Sequence, residues 1–297
     1  MPPMGLPCAR RNFACAPTWC ISPTVTASSK TGTDSKPQTT RPSAAKRLMK
    51  AMGMGARTPA SLPDKLRLYA VGDIHGCASL LDELHAKIEE DAAGYPHARK
   101  IVYLGDFTDR GTDSKGVVDR VLHRVPRGFE PHYVRGNHDV TLLEFLEDPE
   151  VYRLWRPFGG AETLMSYGVR PPLFDSAEQM EKARDAFKAA LPAEHLAFFQ
   201  SLELTITVGD YLFVHAGIRP GIALEKQSEQ DLLWIRDEFL SSSAWSGKVV
   251  VHGHTPLPAP VRTANRISVD TGAYATGNLS CAVLEGTSCR FLQASAA

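Results

Sequence analysis

No stretch of this 297-residue chain approaches the ~20 consecutive apolar residues that a membrane-spanning helix needs, so the sequence predicts no membrane partner. Cysteine is sparse and scattered at Cys8, Cys15, Cys20, Cys77, Cys281 and Cys289. That is not the dense framework of a small secreted domain, and it points to a reducing, cytoplasmic setting. The first three are irregularly spaced with no His nearby, so they do not make a tetrahedral metal set. No Cys has an Arg six positions on, which excludes a cysteine-based phosphatase loop. The strings G-x-x-x-x-G-K-[ST], H-E-x-x-H and G-x-S-x-G are also absent. Acid is nearly missing from one region: residues 1–65 hold ten Lys and Arg against two Asp and Glu, while the rest holds 23 against 31. An acidic body argues against a nucleic-acid-binding surface.

The basic stretch 1–65 is rich in Pro, Ser and Thr, and prolines break every periodic run in it. Such a segment buries too little apolar surface to offset its chain entropy, and we expect a disordered tail. Its acid-poor, Arg- and Ser-containing composition is also that of an organelle transit peptide. A start at Met49, Met52 or Met54 is the other expectation, and residues 44–53 carry one or two basic helical turns. The apolar run Phe13 to Ile21 is too short, and broken by Pro17, to be a secretory signal.

Residues 66–297 are expected to form one catalytic domain. Leu68–Val71, Ile101–Leu104 and His132–Val134 are short apolar runs that read as buried strands. Between them, 78–90 and 114–124 show helical periodicity. Strand–helix–strand–helix–strand predicts a parallel sheet with covering helices. A helical stretch follows at 177–200, then strand-like runs at 203–208, 211–215, 248–252, 266–270 and 279–285, one pair joined by Gly209-Asp210. These predict a second sheet packed on the first. In 227–240 the aromatics Trp234 and Phe239 read as core, with only Arg236 reaching a site.

The chemistry sits at the strand ends. The first strand runs into Gly72-Asp73-Ile74-His75-Gly76, the second into Gly105-Asp106-Phe107-Thr108-Asp109-Arg110-Gly111, and the third into Gly136-Asn137-His138-Asp139. Later strands end at His215-Ala216-Gly217 and His252-Gly253-His254-Thr255. Each string alone is weak, since Asp or Asn beside Gly is usually a turn and a lone His is usually a satisfied core residue. Five in succession are not, because ligands collect at the carboxyl ends of strands in open α/β sheets. Oxygen and nitrogen donors without thiolate suit Mn²⁺, Fe or Zn²⁺. A carboxylate such as Asp106 can bridge two cations ~3.5–4 Å apart, and a shared water then becomes a nucleophile near neutral pH.

These strings resemble the PPP-type serine/threonine protein phosphatases of the calcineurin-like metallophosphoesterase superfamily, above all the compact bacterial and phage members. The resemblance spans residues 66–290. It implies an α/β fold, a two-sheet β-sandwich flanked by α-helices in four αββα layers. It implies two divalent ions, Mn²⁺ first, with Asp73 and His75 on one, Asp106 bridging, and Asn137, His215 and His254 on the other. His138 resembles the general acid, with Asp109 holding its ring. Arg110 and Arg236 resemble phosphate clamps, and Arg135 lies beside the substrate site. His252 is no ligand in the phage-type pattern, and Pro256 fits the PPP branch. The implied activity is one-step hydrolysis of phosphoserine or phosphothreonine in a protein substrate. One departure pulls elsewhere. Asp139 stands where that family has Glu, and bacterial diadenosine tetraphosphate hydrolases of the same fold commonly read GNHD. Those enzymes usually lose the Asp kept here as Asp109, so dinucleoside polyphosphate hydrolysis is the alternative.

Overall fold

The computed structural model describes residues 58–174 and 176–296, so the predicted turns at 44–53 and most of the predicted tail lie outside the described residues. Residues 58–65, which the sequence assigns to the tail, are described, and Leu62 is only 3% exposed.

The first sheet has the order β10-β9-β1-β2-β3, with β1 Leu66–Val71, β2 Ala98–Tyr103, β3 Glu130–Tyr133, β9 Asn278–Glu285 and β10 Ser288–Ser295. The pairs β1–β2 and β2–β3 are parallel, as strands separated by α1 (Ala78–Ala92) and α2 (Ser114–His123) must be. The sheet is nevertheless mixed. β9 pairs antiparallel with β1, and β10 extends it as a hairpin partner. The sequence placed the 279–285 run in the second sheet; it joins the first because β1 needs a partner on its open edge and β9 is buried on both faces.

The second sheet has the order β4-β5-β6-β8-β7, from β4 Thr205–Val208, β5 Tyr211–Val214, β6 Val249–His252, β7 Val261–Arg262 and β8 Arg266–Ser268. The β4–β5 hairpin turns through Gly209-Asp210 as the sequence predicts, and β5–β6 and β6–β8 are parallel.

Side chains alternate across a strand, and that alternation sorts the core into layers. Leu68, Ala70, Val102 and Ala282 meet Phe213, Val249, Val251 and Ile267 between the sheets. Tyr69, Val71, Ile101 and Val283 face the other way, onto Leu81, Leu84, Val117 and Val121 of α1 and α2. Leu212, Val214 and Val250 face Leu232 and Phe239 of the short helices α8 (Glu229–Trp234) and α9 (Asp237–Leu240). The result is helix, sheet, sheet, helix.

Between the sheets in sequence runs a helical segment that the periodicity did not show: α3 Asn137–Glu147, α4 Tyr152–Trp155, α5 Gly160–Ser166, and two 3₁₀ turns. The predicted 177–200 stretch is two helices, α6 Ala177–Ala190 and α7 Ala193–Ser201, separated at Leu191-Pro192, where Pro disfavours helix in the residue before it. Met180, Phe187 and Phe199 face the core.

Candidate active site

The carboxyl ends of β1, β2, β3, β5 and β6 converge, and the predicted strings meet there. Asp106 is the centre. Its Oδ1 accepts the His138 backbone N–H at 3.0 Å, and its Oδ2 faces three imidazoles: His215 Nε2 at 3.4 Å, His75 Nε2 at 3.5 Å and His138 Nε2 at 4.0 Å. Donor atoms of His75, Asp106 and His138 lie within 4.8 Å of one another, and so do those of Asp106, His215 and His254. Asp106 belongs to both groups. Asn137 Oδ1 is 2.8 Å from His215 Nε2, and His254 Nδ1 is 3.1 Å from the same atom. Asp73 is buried and belongs to neither group, both its oxygens accepting the His254 backbone N–H at 3.0 and 3.1 Å.

The backbone is bent to bring these groups in. Among the described residues, six non-glycines have positive φ, and five are His75, Asp106, Asp109, Arg110 and His254. L-residues disfavour that region, so tertiary structure holds them there. Two glycines are also required. A Cβ on Gly136 would sit 2.1 Å from Asp106 Oδ1, and one on Gly253 would sit 2.0 Å from Asp73 Oδ1.

The donor set fits a pair of cations. His75 Nδ1 donates to the Thr108 carbonyl at 2.8 Å and His215 Nδ1 to the Leu104 carbonyl at 2.8 Å. Each therefore presents an Nε2 lone pair inward. For His215 that lone pair faces the Asn137 oxygen and Asp106, an acceptor-on-acceptor contact that a cation would relieve. Burial pushes His75 and His254 down to about 3 and His215 well below its usual range, so all three are neutral donors. Burial and neighbouring acids push Asp73 and Asp106 upward, the sign of a site short of positive charge.

His138 is different. Burial would lower it, but Asp106 and Asp109 outweigh that and hold it at about 9. Its Nδ1 donates to Asp109 Oδ2 at 2.6 Å, leaving Nε2–H pointed at the cluster. Arg110 lies between two rings, 5.1 Å from Phe158 and 5.4 Å from Tyr274, and Tyr274 packs edge-on to His75 at 5.4 Å. Arg110, Arg236, Asn137 and His138 line a cavity of about 230 Å³ together with Thr141, Glu144, Val151, Leu154, Trp155, Phe158 and Trp234. A second recess of about 310 Å³, around Ile222 and Trp245, contains none of the cluster residues. Arg135 turns aside, its guanidinium 3.7 Å from Glu229. His252 is fully buried and turned away from the cluster, donating to the Gly253 carbonyl and accepting from Ser268.

Trp234 departs from its expected place in the core. It is 43% exposed, and its ring lies 6.3 Å from His254. Asp270 was missed. It is buried, pushed up to about 6 by burial and by Asp106, and it is the strongest acidic neighbour of Asp73. The signal was present, since Asp270-Thr271-Gly272 ends the 266–270 run as the other strings end theirs. Asp139 lies beneath the cluster and accepts the backbone N–H groups of Asp106, Phe107 and Gly136 at 2.9, 3.1 and 3.0 Å. It ties two loops together and does not face the cavity.

A family model described as calcineurin-like phosphoesterase matches residues 66–285. The asymmetrical bis(5'-nucleosyl)-tetraphosphatase PrpE of Anoxybacillus flavithermus is 24% identical over 230 residues, covering 71% of this chain and 87% of that protein. The protein of the same name from Bacillus subtilis is 26% identical over 222 residues, with coverages of 68% and 84%. The solved structure of a candidate diadenosine tetraphosphatase aligns with a TM-score of 0.54 at 21% identity, over 80% of this chain and 100% of that one, a likeness of fold.

Proposed function

Because this chain belongs to the calcineurin-like phosphoesterase family, we propose that it hydrolyses a dinucleoside polyphosphate of the bis(5'-nucleosyl) tetraphosphate class. This replaces phosphoprotein hydrolysis as the leading reading. The observation that carries it is a cavity lined by two arginines, Arg110 and Arg236, together with the exposed rings of Phe158 and Trp234. Guanidinium forks suit phosphate, and the exposed rings of Phe158 and Trp234 suit a purine base.

In this reading Asp73, His75 and Asp106 would hold one divalent ion, and Asp106, Asn137, His215 and His254 a second. Such a pair supplies Lewis acidity and makes a nearby water acidic enough to attack near neutral pH. The nitrogen and oxygen donors suit Mn²⁺, Fe or Zn²⁺. Arg110, held between Phe158 and Tyr274, and Arg236 orient the phosphoryl group and offset its growing charge. His138 delivers the Nε2 proton to the leaving oxygen, and Asp109 fixes its ring.

A side-by-side assay of diadenosine tetraphosphate and a phosphoserine peptide with Mn²⁺ tests the substrate. We expect the dinucleotide to be preferred by orders of magnitude in kcat/KM. One observation favours phosphoprotein as a second reading. The intact Asp109–His138 pair serves a basic serine oxygen, whereas a departing nucleotide phosphate needs little protonation. A preference for the peptide would establish that reading in place of the first.

A further inference from the structure

We propose that Trp155 is a positioning residue for His138, joining the floor of the apolar cavity to the group that protonates the leaving oxygen. The inference rests on His138 as proton donor and is independent of the choice between dinucleotide and phosphoprotein.

Asp109 is fully buried, and each of its polar atoms is held. Oδ2 accepts two N–H donors, His138 Nδ1 at 2.6 Å and Trp155 Nε1 at 2.7 Å. Oδ1 accepts the Thr163 hydroxyl at 2.6 Å. The Asp109 backbone N–H in turn lies 2.9 Å from Thr163 Oγ1 and 3.1 Å from Ser114 Oγ. With these partners in place the carboxylate cannot rotate about its Cβ–Cγ bond without breaking charge-assisted hydrogen bonds. Without the indole N–H, Oδ2 would have the imidazole as its one partner and could follow it. The ring would then swing, and the Nε2 proton with it.

The same indole borders the cavity with Phe158 and Trp234. Trp155 is fully buried, so the indole meets the cavity as part of its packed wall. One buried side chain thus belongs to the cavity wall and holds the acid's partner.

Trp155 also packs on Phe145 at 5.0 Å and Phe187 at 6.4 Å, so a purely packing role is the competing account. Trp155→Phe keeps an aromatic ring in that cluster and removes the donor. The test is a series of aryl phosphates whose phenols range from acidic to basic, assayed on Mn²⁺-loaded enzyme, with metal content measured alongside. We expect the variant to lose under about 2-fold on p-nitrophenyl phosphate and about 10-fold on phenyl phosphate, with metal content unchanged, because only a basic leaving oxygen needs the aimed proton. Thr163→Val should steepen the same dependence, and Thr163→Ser should restore it. Losses equal along the whole series, or wild-type rates throughout, would overturn the proposal. If Trp155→Phe does not fold, the threonine pair decides the matter on the same criterion.

Discussion

The polar cluster and the apolar wall beside it share a cleft but come from different parts of the chain and are held in different ways. The cluster sits on loops at strand ends, with buried side chains and five left-handed residues fixed by the sheets beneath. The wall comes from short helical pieces between 149 and 166 and from the end of α8, and it leaves Leu154, Phe158 and Trp234 exposed. In the proposed reading the chemistry therefore rests on the strand-end loops, and choice of substrate on the helical pieces beside them. Asp109 and Trp155 are the seam between them.

The largest effect should come from the centre of the cluster. Asp106→Asn removes the carboxylate that both donor groups share, and we expect a loss of ~10³-fold or more in kcat together with reduced metal stoichiometry by elemental analysis. An active variant with full metal content would remove Asp106 from the centre.

Next is the seam. His138→Ala should slow a substrate with a basic leaving oxygen by ~10²-fold or more and affect p-nitrophenyl phosphate far less. Equal losses would mean that His138 acts on metal or phosphate binding and not on the leaving group.

The wall should give a smaller effect of a different kind. Phe158→Ala and Trp234→Ala should each raise KM for the dinucleotide by about 10-fold, as loss of one stacked base contact would, with kcat and metal content unchanged. A fall in kcat without a change in KM would erase the distinction between the regions.

The smallest effect on activity should come from the frame beneath both. His85 is buried on α1 with Nε2 2.8 Å from the Tyr103 hydroxyl, and burial lowers its pKa to about 4. The unfolded chain takes up that proton first as the pH falls below the ordinary value near 6.5. Stability present above 6.5 is then lost down to pH 4, by about 3 kcal/mol at most. His85→Gln should flatten that acid limb in denaturant titrations and leave kcat alone.

The same division explains what the sequence disclosed. The strand-end strings are short and contiguous, and each follows an apolar run, so the cluster is legible in the sequence. The pairing of β1 with β9 could not, because Arg67 and Glu285 meet across almost the whole domain. Nor could the wall. Its helices are too short to show a period, and Trp155 and Thr163 reach Asp109 from 46 and 54 positions away. The substrate question turned on the same limit. Asp139 points to the alternative that relatives named as tetraphosphatases favour, although its own three backbone hydrogen bonds tie loops together and do not reach the cavity.

The left-handed backbone at His75, Asp106, Asp109, Arg110 and His254 has a consequence for mutagenesis. Alanine at these positions deletes a functional group while keeping a conformation that alanine tolerates poorly. An alanine scan would therefore mix lost chemistry with a relaxed loop. Asparagine and glycine accept that conformation more readily, so they are the substitutions that report on the side chain alone.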